Sequence, residues 1–159
     1  LEQSIRSVDR KQNPAPEFTS INKTVQELLF HLVYAYKKTR RGELWIATSE
    51  VNCTIKEYLL RMIEYHNALV SKKSNVLTYE GRLLENRTDP GILRMLAHCF
   101  AQYDERSILS GLEHELDLTD LIYKDICTAI GCEAEEKSFA SVRRILSDMK
   151  QTHKNACNR

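Results

Sequence analysis

The chain lacks an apolar run long enough to cross a membrane. The longest, "LLFHLVYAY", falls short of the roughly 20 residues a span needs, is interrupted by His31 and is followed at once by "KKTRR". The opening "LEQSIRSVDRK" has none of the apolar middle of a secretory signal, and its initial Leu reads as a piece of something longer. An excess of either charge is missing too. With 23 Lys and Arg against 22 Asp and Glu over 159 residues, no basic field exists to draw in nucleic acid or an anionic membrane surface. The 5 cysteines form no CxxC pair and are an odd count, so they argue against a zinc site and a disulfide framework and read as reduced thiols of a cytoplasmic protein. Val/Ile/Thr-rich alternation, internal repeats and heptad seams are absent, which leaves a sheet without support.

Glycine and proline are scarce, 5 and 3 residues, and stand where helices begin or end. Pro14 and Pro16 in "KQNPAPEF" make residues 1–16 an extended linker, or the tail of a missing domain. A helix is expected from Glu17 to Arg40, with Phe18, Ile21, Val25, Leu28, Leu29, Leu32, Val33 and Tyr36 at helical spacing and Gly42 at its end. A second, from about residue 43 to Val70, carries Leu44, Val51, Ile55, Leu59, Met62 and Leu69 on one nearly straight stripe. Residues 71–88 read as a loop turning at "YEGR". Asp89 and Pro90 open a third helix through about Gln102, and Asp104 caps a fourth that stops at Gly131. A fifth runs from about Glu135 to His153, with a frayed "KNACNR" after it. The fold expected is a single all-α bundle of about five helices around a long central helix, its helical domain spanning residues 17–153.

Chemical signatures are few. The chain has no G-x-x-x-x-G-K-[ST], G-x-G-x-x-G, G-x-S-x-G or H-E-x-x-H. His66, His98 and His114 read as surface or capping residues, and His31 as core or rim. Glu113, Glu115, Asp117 and Asp120 read as a solvated acidic face. On the second helix, Glu43, Glu50, Glu57 and Glu64 recur every seven residues and drift by about 20° per step. Glu43 and Glu50 therefore flank the apolar stripe, and Glu57 and Glu64 turn to solvent, Glu57 within reach of Arg61. On the other flank Trp45, Ser49, Asn52 and Lys56 share a row within about 60°. Spacing alone fits two uses of that row: a tryptophan packed on a neighbouring helix above a wet rim, or one wall of a binding site.

The order of "RRGELWIA", "KEYLLRMIEYH", "YEGRLLEN", "DPGILRMLAHCFAQYDERSI" and "DLTDLIYKDICTAIGC" resembles the C-terminal helical domain of the aminoglycoside 6-adenylyltransferases, the streptomycin adenylyltransferase-like nucleotidyltransferases, over about residues 14–137. The resemblance implies a partner N-terminal domain, missing here, whose Gly-Ser turn and carboxylate pair hold magnesium and ATP and whose reaction moves AMP onto an aminoglycoside hydroxyl, a basis of antibiotic resistance. The helical domain would bind no cofactor alone and would contribute contacts to an aminoglycoside-like small molecule and to the triphosphate. On this resemblance Lys56 and Arg61 fall at phosphate-binding positions. Glu43, Trp45, Ser49, Asn52, Tyr79 and Arg82 fall on the substrate side, and Glu50 is the candidate catalytic base. Ser49 departs from the family pattern, which tends to be acidic there. On this reading Trp45→Ala and Lys56→Ala are both expected to impair ligand binding and to leave the fold in place. The alternatives are a stand-alone helical interaction module, whose exposed apolar surface could drive a homodimer, and a degenerate relative without drug activity.

Overall fold

A computed structural model describes residues 15–72 and 81–156, the side chains of 148–156 excepted. Among the described residues there is no strand. The elements are α1 (Phe18–Arg40), α2 (Leu44–Ser49), a π-helical turn (Glu50–Thr54), α3 (Ile55–Leu69), α4 (Leu84–Arg87), α5 (Pro90–Ala97), α6 (Glu105–Ile130) and α7 (Glu136–Ala156). The all-α expectation holds. α1, α3 and α6 pack on one another, α7 covers α1 and α6, and α5 leans on α6. The apolar spacing read from the sequence fills the space between them, with Leu28, Leu32, Ile55, Leu59, Met62, Leu112, Leu116 and Ile122 buried.

The punctuation residues act as their chemistry dictates. At the end of α1 the Glu43 N–H donates to the Lys38 carbonyl at 3.0 Å and the Gly42 N–H to Thr39 at 3.0 Å. That closure needs the left-handed backbone Gly42 adopts, φ 75°. Asp89 Oδ1 accepts from the Gly91 N–H at 2.7 Å, ahead of Pro90 in the first turn of α5. Asp104 Oδ1 accepts from the Ser107 N–H at 2.8 Å and starts α6. Asp104→Ala should therefore cost about 1 kcal/mol, seen as a lower urea midpoint with an unchanged slope.

Several expectations are corrected. The long second helix is not continuous, because the π turn interrupts it at Glu50–Thr54. Residues 71–88 are not all loop, since α4 lies within them. The third helix ends at Ala97 rather than near Gln102, because the carbonyls beyond it are taken by α3 and the π turn. α7 extends to Ala156, into the tail expected to fray. Glu64 is 9% exposed and pairs with Arg87 at 3.6 Å instead of facing water. The run Met62–Asn67 is buried on all sides, which a single stripe does not anticipate. Among the described residues Glu57 and Arg61 form no ion pair; the Arg61 guanidinium lies 5.9 Å from the Tyr58 ring centre. Of the acidic face on α6, Glu115 is fully buried. Asp117 and Asp120 instead receive Arg143 of α7, Asp120 at 3.3 Å.

Candidate functional site at the wide turn

The π turn is where the chain departs from regular geometry, and single π turns inside helices are frequent at functional sites. Here the Ile55 N–H reaches back to the Glu50 carbonyl. The Val51 carbonyl thereby loses the donor an α-helix would give it, and Lys56 Nζ donates to it at 2.8 Å. The same ammonium donates to the Cys99 carbonyl at 2.8 Å and to Glu115 Oε1, which accounts for all three of its protons. One turn earlier Asn52 pairs with the Ala101 backbone in both directions: Nδ2 donates to the carbonyl at 2.8 Å, and Oδ1 accepts from the N–H at 2.9 Å. Two side chains of the broken helix thus hold the segment between α5 and α6. Gly111 lets that segment lie close, since a Cβ there would sit 3.4 Å from the Cys99 carbonyl oxygen.

Electrostatics at this junction are dominated by burial. Desolvation pushes the Glu115 carboxyl up to about 8, and the neighbouring Lys56 charge and hydrogen bond pull it back only in part. Its second oxygen, Oε2, has no hydrogen-bond partner. Burial likewise pushes the Cys99 thiol up to about 12, so it is a packing residue and not a nucleophile. The held segment turns Phe100 outward, 56% exposed, with the Lys56 ammonium 4.8 Å from its ring centre.

Glu50 lies in the same turn but faces α1. His31 Nδ1 donates to its Oε2 at 2.9 Å, and the imidazole stacks on Tyr58 with ring centres 5.3 Å apart. Beyond Tyr58 opens a polar groove of about 430 Å³ between α1 and α3, lined by Lys23, Glu27, Tyr58, Arg61 and Tyr65.

The residues singled out from the sequence therefore separate. Trp45 is 77% exposed and Ser49 is exposed, whereas Asn52 within the wide turn and Lys56 just after it, expected in the same row, turn inward. Glu43 accepts from Lys38 Nζ at 2.6 Å. Arg61 lines the α1–α3 groove, away from the contacts Lys56 makes. Arg82 is exposed, and its carbonyl accepts from Arg87 Nη2 at 3.4 Å. Tyr79 lies outside the described residues. Two participants were missed. Glu115 shares the side of α6 that carries Leu112, Leu116 and Leu118, a position that asks for a buried cation partner. His31 sits one residue before the buried Leu32, on the flank where α3 packs.

The helical architecture is that of a crystal structure of an aminoglycoside 6-adenyltransferase from Bacillus subtilis: TM-score 0.77 at 14% identity, over 91% of this chain and 56% of that chain. A family model described as streptomycin adenylyltransferase matches residues 5–149, and the chain belongs to that family. No curated protein matches it. The chain spans a little over half of the adenyltransferase it superposes on. The described residues hold no group of three or more His, Cys, Asp or Glu that could bind a metal ion. No helix among them is long and apolar enough to cross a membrane.

Proposed function

We propose that the chain is the substrate-side helical domain of an aminoglycoside nucleotidyltransferase-like protein, with ATP and magnesium held by a separate nucleotidyltransferase domain. One observation carries the reading: a member of this family covers 56% of an aminoglycoside 6-adenyltransferase with helices and no strand among its described residues, and its sequence contains no Gly-Ser dipeptide. Trp45 offers a flat exposed surface for a sugar ring, and Glu43, Ser49 and Glu50 supply acceptors for guanidino, amino and hydroxyl groups. Glu50, oriented by His31, is the proposed base toward the attacking hydroxyl. Lys56 and Asn52 are proposed as supports that fix the segment 99–101, and Arg61 as the cation that meets phosphate from the α1–α3 groove.

Calorimetric titration of the full-length protein with streptomycin at low salt tests the proposal. Saturable binding is expected, weakened about tenfold or more by Trp45→Ala and by Glu50→Gln. Trp45→Ala should leave the melting temperature in place, because an exposed ring is spent on little packing. Wild-type affinity retained by both variants would place the drug elsewhere. A second reading, a helical interaction module, is favoured by the exposure of Phe30, Leu83 and Tyr103 at 62%, 58% and 62%. Concentration-dependent self-association in sedimentation, with no heat from streptomycin, would favour it.

A further inference from the structure

The C-terminus of α6 closes with a hydrogen bond from the Cys132 N–H to the Cys127 carbonyl at 3.0 Å, around Gly131 in the left-handed conformation at φ 74° and ψ 33°. In this closure the side chains three positions before the end and two beyond it face each other, and here both are cysteines. The Cys127 thiol has the Cys132 side chain as a hydrogen-bond neighbour, the proximity that a disulfide requires. Both thiols are free, Cys127 buried and Cys132 half-buried.

We propose that Cys127 and Cys132 form a reversible modification site, a thiol pair that a low-molecular-weight disulfide converts into an intramolecular disulfide across the end of α6. Cys132, the accessible member, attacks as thiolate one sulfur of the reagent. The reagent S–S bond breaks, one reagent thiolate leaves and takes up a proton, and Cys132 carries a mixed disulfide. The Cys127 thiolate then attacks the Cys132 sulfur and expels the second reagent thiolate. Two protein thiols are oxidised to one S–S bond, and the reagent disulfide is reduced to two thiols. The order follows from the surroundings of Cys127: burial raises its thiol to about 11, and the adjacent Cys132 thiol adds to the rise, so Cys127 is the poorer first nucleophile. The bridge would staple the end of α6 just before α7, which Tyr123 of α6 meets by stacking on Phe139 at 5.7 Å.

The test treats the full-length protein with oxidised glutathione, quenches in acid, alkylates with N-ethylmaleimide and digests with trypsin. Residues 125–137 leave as one peptide holding both cysteines, while the exposed Cys53 reports general reactivity. Folded protein should give this peptide unalkylated and lighter by two hydrogens. In urea the same peptide should appear mainly as glutathione adducts, a several-fold loss of the internal bridge. In Cys132→Ser, Cys127 should acquire no adduct while the protein is folded. A stable glutathione adduct on Cys132 of the folded wild type would overturn the proposal. So would a fully alkylated peptide beside a modified Cys53, or a glutathione adduct on Cys127 of folded Cys132→Ser.

Discussion

Lys56→Ala should lower the stability of the domain by about 3–5 kcal/mol at pH 8, because it strips a fully buried carboxylate of its cation and leaves two carbonyls without their donor. The Lys56 side chain is 13% exposed and that of Glu115 is 0% exposed, so water does not replace what is lost. The loss should stay nearly level from pH 5 to pH 7 and grow above about pH 8, where wild-type Glu115 has released its proton and the variant has not. Glu115 in the folded chain titrates near 8 against 4.5 for an ordinary glutamate. Between those values the folded state holds a proton that the unfolded chain has released, so the contribution of Glu115 to stability falls as pH rises through the window. Without Lys56 the folded value moves higher still, so the variant goes on losing stability above pH 8, where wild type levels off. Urea unfolding at pH 5, pH 7 and pH 9 reads both effects. Pairing Lys56→Met with Glu115→Leu should recover much of the stability. A single variant as stable as wild type at pH 8 would mean that the ammonium is not committed to this contact. The three contacts of Lys56 run against the expectation from sequence that Lys56→Ala spares the fold, whereas the exposure of Trp45 agrees with the same expectation there.

Asn52→Ala should cost about 2–4 kcal/mol, since it orphans both the N–H and the carbonyl of Ala101 in one step. Asn52→Asp is the sharper probe. It keeps an acceptor for the N–H but sets a carboxylate oxygen against the Ala101 carbonyl, so it should be no better than Ala. If both variants melt as wild type does, the bidentate pairing contributes nothing. If the proposed site is correct, streptomycin affinity should fall in step, through displacement of the segment carrying Phe100.

What was legible in the sequence was whatever periodicity and punctuation encode. Ile21 through Tyr36, the Asp89-Pro90 start, the Asp104 cap and the Gly131 stop each speak through local chemistry, and each stands where expected. The failures share a cause, which is contact between residues distant in the chain. Glu115 looked like part of an acidic face because nothing local reveals that Lys56, fifty-nine positions away, reaches it. Arg143 coming down on Asp117 and Asp120 was equally invisible. The row from Trp45 to Lys56 failed for a different reason. The rule of about 100° per residue holds in an α-helix, and five residues at Glu50–Thr54 do not obey it.

That lapse limits what can be borrowed from this protein. A synthetic peptide spanning residues 44–69 would wind as an ordinary helix, with nothing to keep the extra residue in its wide loop, and would place the indole of Trp45 and the amine of Lys56 on one face, about three turns apart. In the protein the first stands in solvent and the second is drawn inward to Glu115. Such a peptide would be a faithful copy of the letters and a poor copy of the surface.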